Sequence, residues 1–114
     1  MNPADRIRLQ HMLEAARIGV KLTQGETRAS LDQDDKLQLA LTRAVEIVGE
    51  AASKVSPETR AIYPQLPWSG MIGMHNILIH AYFSIDLDTL WDTATTNLPL
   101  LIIQLETILT SSPA

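Results

Sequence analysis

Gly73-Met74-His75-Asn76-Ile77-Leu78-Ile79-His80-Ala81-Tyr82-Phe83 sets two imidazoles, one carboxamide and one phenol inside a strongly apolar run. Wound as a helix at about 100° per residue, the run puts Asn76 and His80 on one face as an i,i+4 pair. His75, Ile79 and Tyr82 fall at i, i+4 and i+7 on a neighbouring face. The two faces adjoin, so the helical reading directs four polar side chains toward one groove. The apolar residues of this helix, Met71, Ile72, Met74, Leu78 and Ile79, are the ones expected to anchor it in a core.

Working outward, the helix spans about Pro67 to Tyr82 and is entered through a connector stiffened by Pro64 and Pro67. Before it, Ser56-Pro57 reads as a cap followed by proline at a first helical position, a short helix that ends at Tyr63-Pro64. A long helix is expected from about Ser30 to Val55, capped by Ser30 or Asp32, with Leu37, Leu41, Ala44, Val45, Val48, Ala52 and Val55 as its stripe. Leu39, Ala40, Ile47 and Ala51 make it apolar on more than one side, as if it met two neighbours, a second subunit being one candidate. The first helix runs from about Pro3, behind an Asn2 cap, to Thr23, with Leu9, Leu13, Ala16 and Val20 inward and Gly25 closing it. After the opening stretch, Asp86 caps a helix carrying Leu87, Leu90, Trp91 and Ala94. Asn97 is expected to cap a last helix with Leu101, Ile102, Leu105, Ile108 and Leu109 inward. Ser111 to Ala114 reads as a frayed tail. The pattern predicts an all-α fold, a four- to five-helix antiparallel bundle forming one domain over residues 1–114.

Composition agrees. Of 114 residues, 46% are hydrophobic and only 4% aromatic, so the core must be aliphatic, which suits helices. The formal charge of −4 argues against a broad basic grip on nucleic acid, while a small local site stays open. Without cysteine there is no disulfide and no thiolate metal site. The charged Asp5-Arg6 start does not resemble a signal peptide, and no apolar run reaches the ~18–20 residues of a membrane span. A cytoplasmic protein is the expectation.

The chemistry of the opening stretch has few outlets. His75 and His80 lie about 140° apart on a helix, a poor chelating pair, and no carboxylate sits beside them, so neither a metal nor another cofactor is expected. Ser69 and Ser84 lack the context of an activated nucleophile. Acid–base cleavage of RNA fits better. It needs one group to take the ribose 2′-OH proton, another to protonate the leaving 5′-oxygen, and donors for the charged phosphorane. A histidine serves either proton task near neutrality, and Asn76 and Tyr82 are donors. On the residues alone, a buried His–Asn–Tyr network that only fixes packing accounts for them as well. Arg43, Glu46 and Glu50, at i, i+3 and i+7, read either as a solvated salt-bridging face or as the border of a site.

Pro67-Trp68-Ser69-Gly70-Met71-Ile72-Gly73-Met74-His75-Asn76-Ile77-Leu78-Ile79-His80-Ala81-Tyr82-Phe83 resembles the signature of the HepT-like branch of the HEPN superfamily. Further segments agree in order: Arg43-Ala44-Val45-Glu46-Ile47-Val48-Gly49-Glu50-Ala51-Ala52, the connector from Ser56-Pro57 to Tyr63-Pro64, and Asp86-Leu87, Leu90-Trp91-Asp92 and Asn97-Leu98-Pro99. The resemblance covers roughly residues 5–110. It implies an all-helical homodimer with active sites in the cleft between subunits, acting as the metal-independent endoribonuclease toxin of a toxin–antitoxin pair. The implied partners are an RNA substrate, with no DNA and no membrane, and an MntA-like minimal nucleotidyltransferase antitoxin that can transfer AMP to the motif tyrosine. By position, His80 is the catalytic histidine, Asn76 the polar residue after the motif arginine, and Tyr82 the AMP acceptor of the Arg-x4-His-x-Tyr pattern.

One position departs from that pattern. The family carries arginine where this chain has His75, which is shorter and mostly neutral at pH 7. Losing an arginine that stabilises the phosphorane costs roughly 2–4 kcal/mol of transition-state binding, by analogy with an oxyanion donor. The expectation is a weakened or inactive ribonuclease, whether through an engineered change or natural decay, unless His75 and His80 act as an acid–base pair. The alternative function is a non-catalytic helical module that binds the nucleotidyltransferase or a nucleotide.

Overall fold

The computed structural model describes the backbone of residues 1–80 and 86–111 and the side chains of all of these except residues 78–80. The expected places of Tyr82, of the His80, Leu78 and Ile79 side chains and of the tail beyond Ser111 lie outside the described residues.

Four long helices form the bundle: α1 (Pro3–Thr23), α3 (Asp35–Ser53), α5 (Trp68–His80) and α7 (Leu98–Ser111). Short helices α2 (Arg28–Gln33), α4 (Pro57–Ile62) and α6 (Leu87–Asp92) join them, and no strand occurs among the described residues. α1 and α3 are the central pair, with α7 packed on α1 and α5 packed on α3. The neighbours run antiparallel. Gly19 of α1 meets Leu98 at the start of α7, and Arg6 donates to the carbonyl of Leu109 near its end at 2.9 Å. The expected stripes are the core: Leu9, Met12, Leu41 and Leu105 are completely buried, and Leu37, Val45, Val48, Ala52, Val55, Leu101 and Ile108 nearly so. The two neighbours anticipated for the long helix are α1 and α5 of the same chain, while Leu39 faces solvent.

The expected caps explain most boundaries. Asn2 accepts from the Asp5 N–H at 2.7 Å, and Gly25 takes a positive φ of 75° where α1 turns away. Ser56 caps α4 with Pro57 behind it, and Asp86 caps α6 through the Thr89 N–H. Two boundaries differ from expectation. The helix expected from Ser30 to Val55 is broken at Asp34, whose backbone is extended and whose carboxylate caps a fresh helix through the Leu37 N–H at 3.0 Å. Asp competes for backbone donors and so favours a cap over a helix interior. Thr27, not Ser30 or Asp32, caps the preceding piece in a reciprocal capping box with Ser30. Gln38 closes the break by donating to the Leu31 carbonyl at 2.9 Å.

The second difference lies at Asn97. It caps no separate helix, because α6 runs through one π-helical turn (Thr93–Asn97) directly into α7. The Leu98 N–H bonds the Thr93 carbonyl five residues back. Pro99 has no N–H to give and its ring crowds the carbonyl four residues before it. A wider turn ahead of it accommodates both.

Asp5 is a buried carboxylate that ties the two ends of the first half together. It accepts from the Ser56 N–H at 3.0 Å, from the Ser56 and Thr59 hydroxyls, and from the Asn2 amide at 3.1 Å. Burial alone raises its pKa, but these donors together outweigh burial and hold it below the ordinary aspartate value.

Candidate functional site

The opening stretch is held by one close helix crossing. Gly49 of α3 faces α5 where a Cβ would land on the Cβ of His75 and the carbonyl oxygen of Met71. Only a residue without a side chain lets the two backbones approach this closely. At that distance His75 Nδ1 reaches the Glu46 carbonyl oxygen of α3 at 3.1 Å. A carbonyl can only accept, so the contact requires the proton on Nδ1 and leaves the Nε2 lone pair as the free basic position of the ring. His75 is half-buried.

Beside this contact α3 carries a ladder of charges. Arg43 donates to Glu46 at 2.6 Å and lies 3.9 Å from Glu50, which in turn pairs with Lys54 at 3.6 Å. The Arg43 side chain is 59% exposed and that of Glu46 only 22%. The three residues singled out from spacing therefore form the solvated ion-pair face, and through the Glu46 backbone that face also abuts His75. Exposed pairs of this kind are individually weak. They set charge of both signs along the face of α3 whose Glu46 carbonyl holds His75.

The polar side chains of α5 do not all meet in one groove. His75 turns onto α3, whereas Asn76 faces solvent. Asn76 and His80 are one turn apart on the described helical backbone, so they share a face at the C-terminal end of α5. The other flank of α5 is apolar. A cavity of about 240 Å³ opens between Met71 and Met74 of α5, Val45 and Val48 of α3, and Leu98 and Leu101 of α7. Gly70, Met74 and Ile77 form a row at i, i+4 and i+7, and Ile77 is 62% exposed.

Two participants escaped the reading of the sequence. Gly49 looks like one more small residue in a helix, and only its crossing partner shows its role. Lys54 had a legible signal, the i,i+4 spacing from Glu50. Among the described residues, no helix is long and apolar enough to cross a membrane.

Comparison with known proteins supplies a family. The model of the family described as "Ribonuclease HepT-like" matches residues 12–108. A protein of Thermococcus cleftensis named "Probable ribonuclease HepT" is 41% identical over 66 residues, 58% of this chain and 60% of that one. A protein of Methanocaldococcus jannaschii named "Putative RNase" is 34% identical over 91 residues, 80% of this chain and 84% of its own. Another so named, from Caldanaerobacter subterraneus subsp. tengcongensis, is 31% identical over 101 residues, 89% of this chain and 90% of its own. No solved structure matches the chain significantly.

Proposed function

Because this chain belongs to the HepT-like ribonuclease family, we propose that it is a metal-independent endoribonuclease toxin of a toxin–antitoxin pair, with its activity weakened at His75. The observation that carries this reading is the register of α5, which keeps Asn76 and His80 one turn apart on one face, with His75 at the position of the motif arginine. In the proposed reaction His80 moves the proton between the 2′-OH and the leaving 5′-oxygen. The 2′-oxygen attacks phosphorus and the P–O5′ bond breaks. Asn76 donates to the phosphorane, and a second copy of the chain completes the cleft. The His75 ring, committed through Nδ1 to the Glu46 carbonyl, supplies neither the permanent charge nor the planar fork of an arginine.

Tyr82 is the proposed acceptor of AMP. Its hydroxyl oxygen attacks the α-phosphorus of ATP on a minimal nucleotidyltransferase antitoxin, and pyrophosphate leaves. The Arg43–Glu46–Glu50 face borders the site.

The test is RNA cleavage in the presence of a chelator. His75→Arg should raise the rate on the order of 10²–10³-fold, the reverse of deleting one oxyanion donor, and His80→Ala in that background should return it to baseline. A His75→Arg protein that cuts nothing, with no effect of His80→Ala, sinks the ribonuclease reading. The second reading, a non-catalytic module that only binds the antitoxin, is favoured by the half-buried, hydrogen-bonded state of His75. Retained capture of the nucleotidyltransferase without cleavage by either protein selects it.

A further inference from the structure

Away from the α5 crossing, α1 and α3 flank a second, open pocket of about 220 Å³. Its character is unlike that of the chain as a whole, whose formal charge is −4. Three cations, Arg8 of α1, Arg43 of α3 and Lys54 just past the end of α3, line it together with His11, and only Glu50 among the lining residues is acidic. Ile47 and Ala51 form an apolar floor between them. Arg43 is already paired with Glu46 at 2.6 Å, and Glu50, 3.9 Å from Arg43 and 3.6 Å from Lys54, is the one carboxylate left to face Lys54. Arg8 is half-buried and, like His11, has no hydrogen bond or ion pair among the described residues. A half-buried guanidinium without a carboxylate partner, beside two more cations, is the arrangement that receives an oxyanion.

We propose that this pocket is a phosphate subsite that takes a backbone phosphate of single-stranded RNA, with Arg8 and Lys54 as its principal donors. The inference rests on the reading of the protein as an RNA-acting enzyme. It also resolves a tension in that reading, since an acidic chain must concentrate what positive charge it has where the polymer lies. The place fits. Arg43 belongs both to this pocket and to the charge ladder whose Glu46 backbone holds His75. A strand with one phosphate here lies against α3, the helix whose Glu46 carbonyl holds His75.

The experiment measures binding of a labelled single-stranded RNA to the full chain, without divalent metal, across a range of salt. For Arg8→Gln with Lys54→Gln the affinity should fall at least tenfold. The slope of log K against log salt should flatten by about 0.7, the amount that one phosphate contact contributes on single strands. Arg8→Lys keeps the charge and should keep the slope. Equal slopes for the double variant and the parent overturn the proposal. So does an Arg8→Lys protein that behaves like Arg8→Gln, because packing rather than charge is then at stake. Variants that lose AMP or inorganic phosphate yet hold RNA normally also overturn it, assigning the pocket to a free anion. RNA binding that depends on Arg8 and Lys54 upholds the subsite even where His75→Arg cuts nothing, so the two readings fail separately.

Discussion

At the scale of single residues, Asp5 shows how a folded chain makes use of a charge that its sequence presents as ordinary. Its carboxylate is nearly inaccessible, and its donors come from Asn2 on one side and from Ser56 and Thr59, more than fifty positions away, on the other. The folded pKa is depressed, so the ionised form contributes stability that is fully present above the unfolded value of ~3.9 and is lost as pH falls through the lower folded value. Asp5→Asn should cost roughly 2–3 kcal/mol near neutrality, the worth of charge-assisted hydrogen bonds left poorly matched. Chemical denaturation from pH 7 down to pH 2 should show that the parent loses this increment in acid while the variant has none to lose. Parallel pH profiles for the two proteins would contradict the account. Nothing in the sequence pointed to this cluster, because local patterns report neighbours three or four positions away. The caps, by contrast, were legible at Asn2, Ser56 and Asp86, where residue type and spacing act within one turn. His75 falls between these cases. Its place on α5 was legible, but its hydrogen bond to the Glu46 carbonyl was not.

At the scale of elements, the bundle depends on which helices approach closely and where they break. Gly49 lets α3 and α5 cross with backbone almost against backbone. Gly49→Ala gains about 1 kcal/mol in helix propensity but forces a Cβ onto the His75 Cβ and the Met71 carbonyl, which cannot swing aside as a side-chain tip can. Overpacking of this kind costs typically 1–3 kcal/mol, so thermal melting should show net destabilisation. The shift of α5 should also weaken the His75–Glu46 contact, visible as a changed His75 ring signal in NMR. A variant more stable than the parent would show that the crossing is looser than described. The break at Asp34 has its own test. Asp34→Ala removes the side chain that accepts the Leu37 N–H and should cost about 1 kcal/mol. A stabilised Asp34→Ala protein would favour the single long helix that periodicity suggests. The stripe begins at Leu37, beyond the break, and so carries no signal of it; on one continuous helix the buried Leu31 would lie about 120° out of phase with Leu37. Periodicity reports which side of a helix faces the core, not where that helix begins. The π turn before Pro99 was missed for a similar reason, since proline marks an interruption in the regular ladder without saying whether the chain stops or widens to pass it.

At the scale of the whole molecule, the described residues close the bundle around α1 and α3 and leave it open around α5. α5 is apolar nearly all round, yet it packs chiefly on α3. Its free flank leaves the Met71–Met74 cavity open and Ile77 in solvent. A helix that is hydrophobic on all sides is stable in water only when something covers it. Sequence showed that α5 was greasy, but α3 accounts for one side only, and the remainder is what a second copy would cover in the proposed composite cleft. Asn76 and His80 lie on the same helix, so covering its flank would bring the proposed site to the seam. Sedimentation should therefore find a dimer at micromolar concentration. Ile77→Asp, which sets a carboxylate in the exposed row without touching α3, should raise the dimer dissociation constant by at least tenfold, about 1.4 kcal/mol, and leave helical content unchanged. Cleavage by a His75→Arg protein should fall with the dimer and recover as protein concentration rises. A parent that stays monomeric at tens of micromolar, or an Ile77→Asp protein that dimerises as before, would place the covering surface elsewhere. Cleavage that persists in a monomer would separate the chemistry of α5 from the cleft altogether.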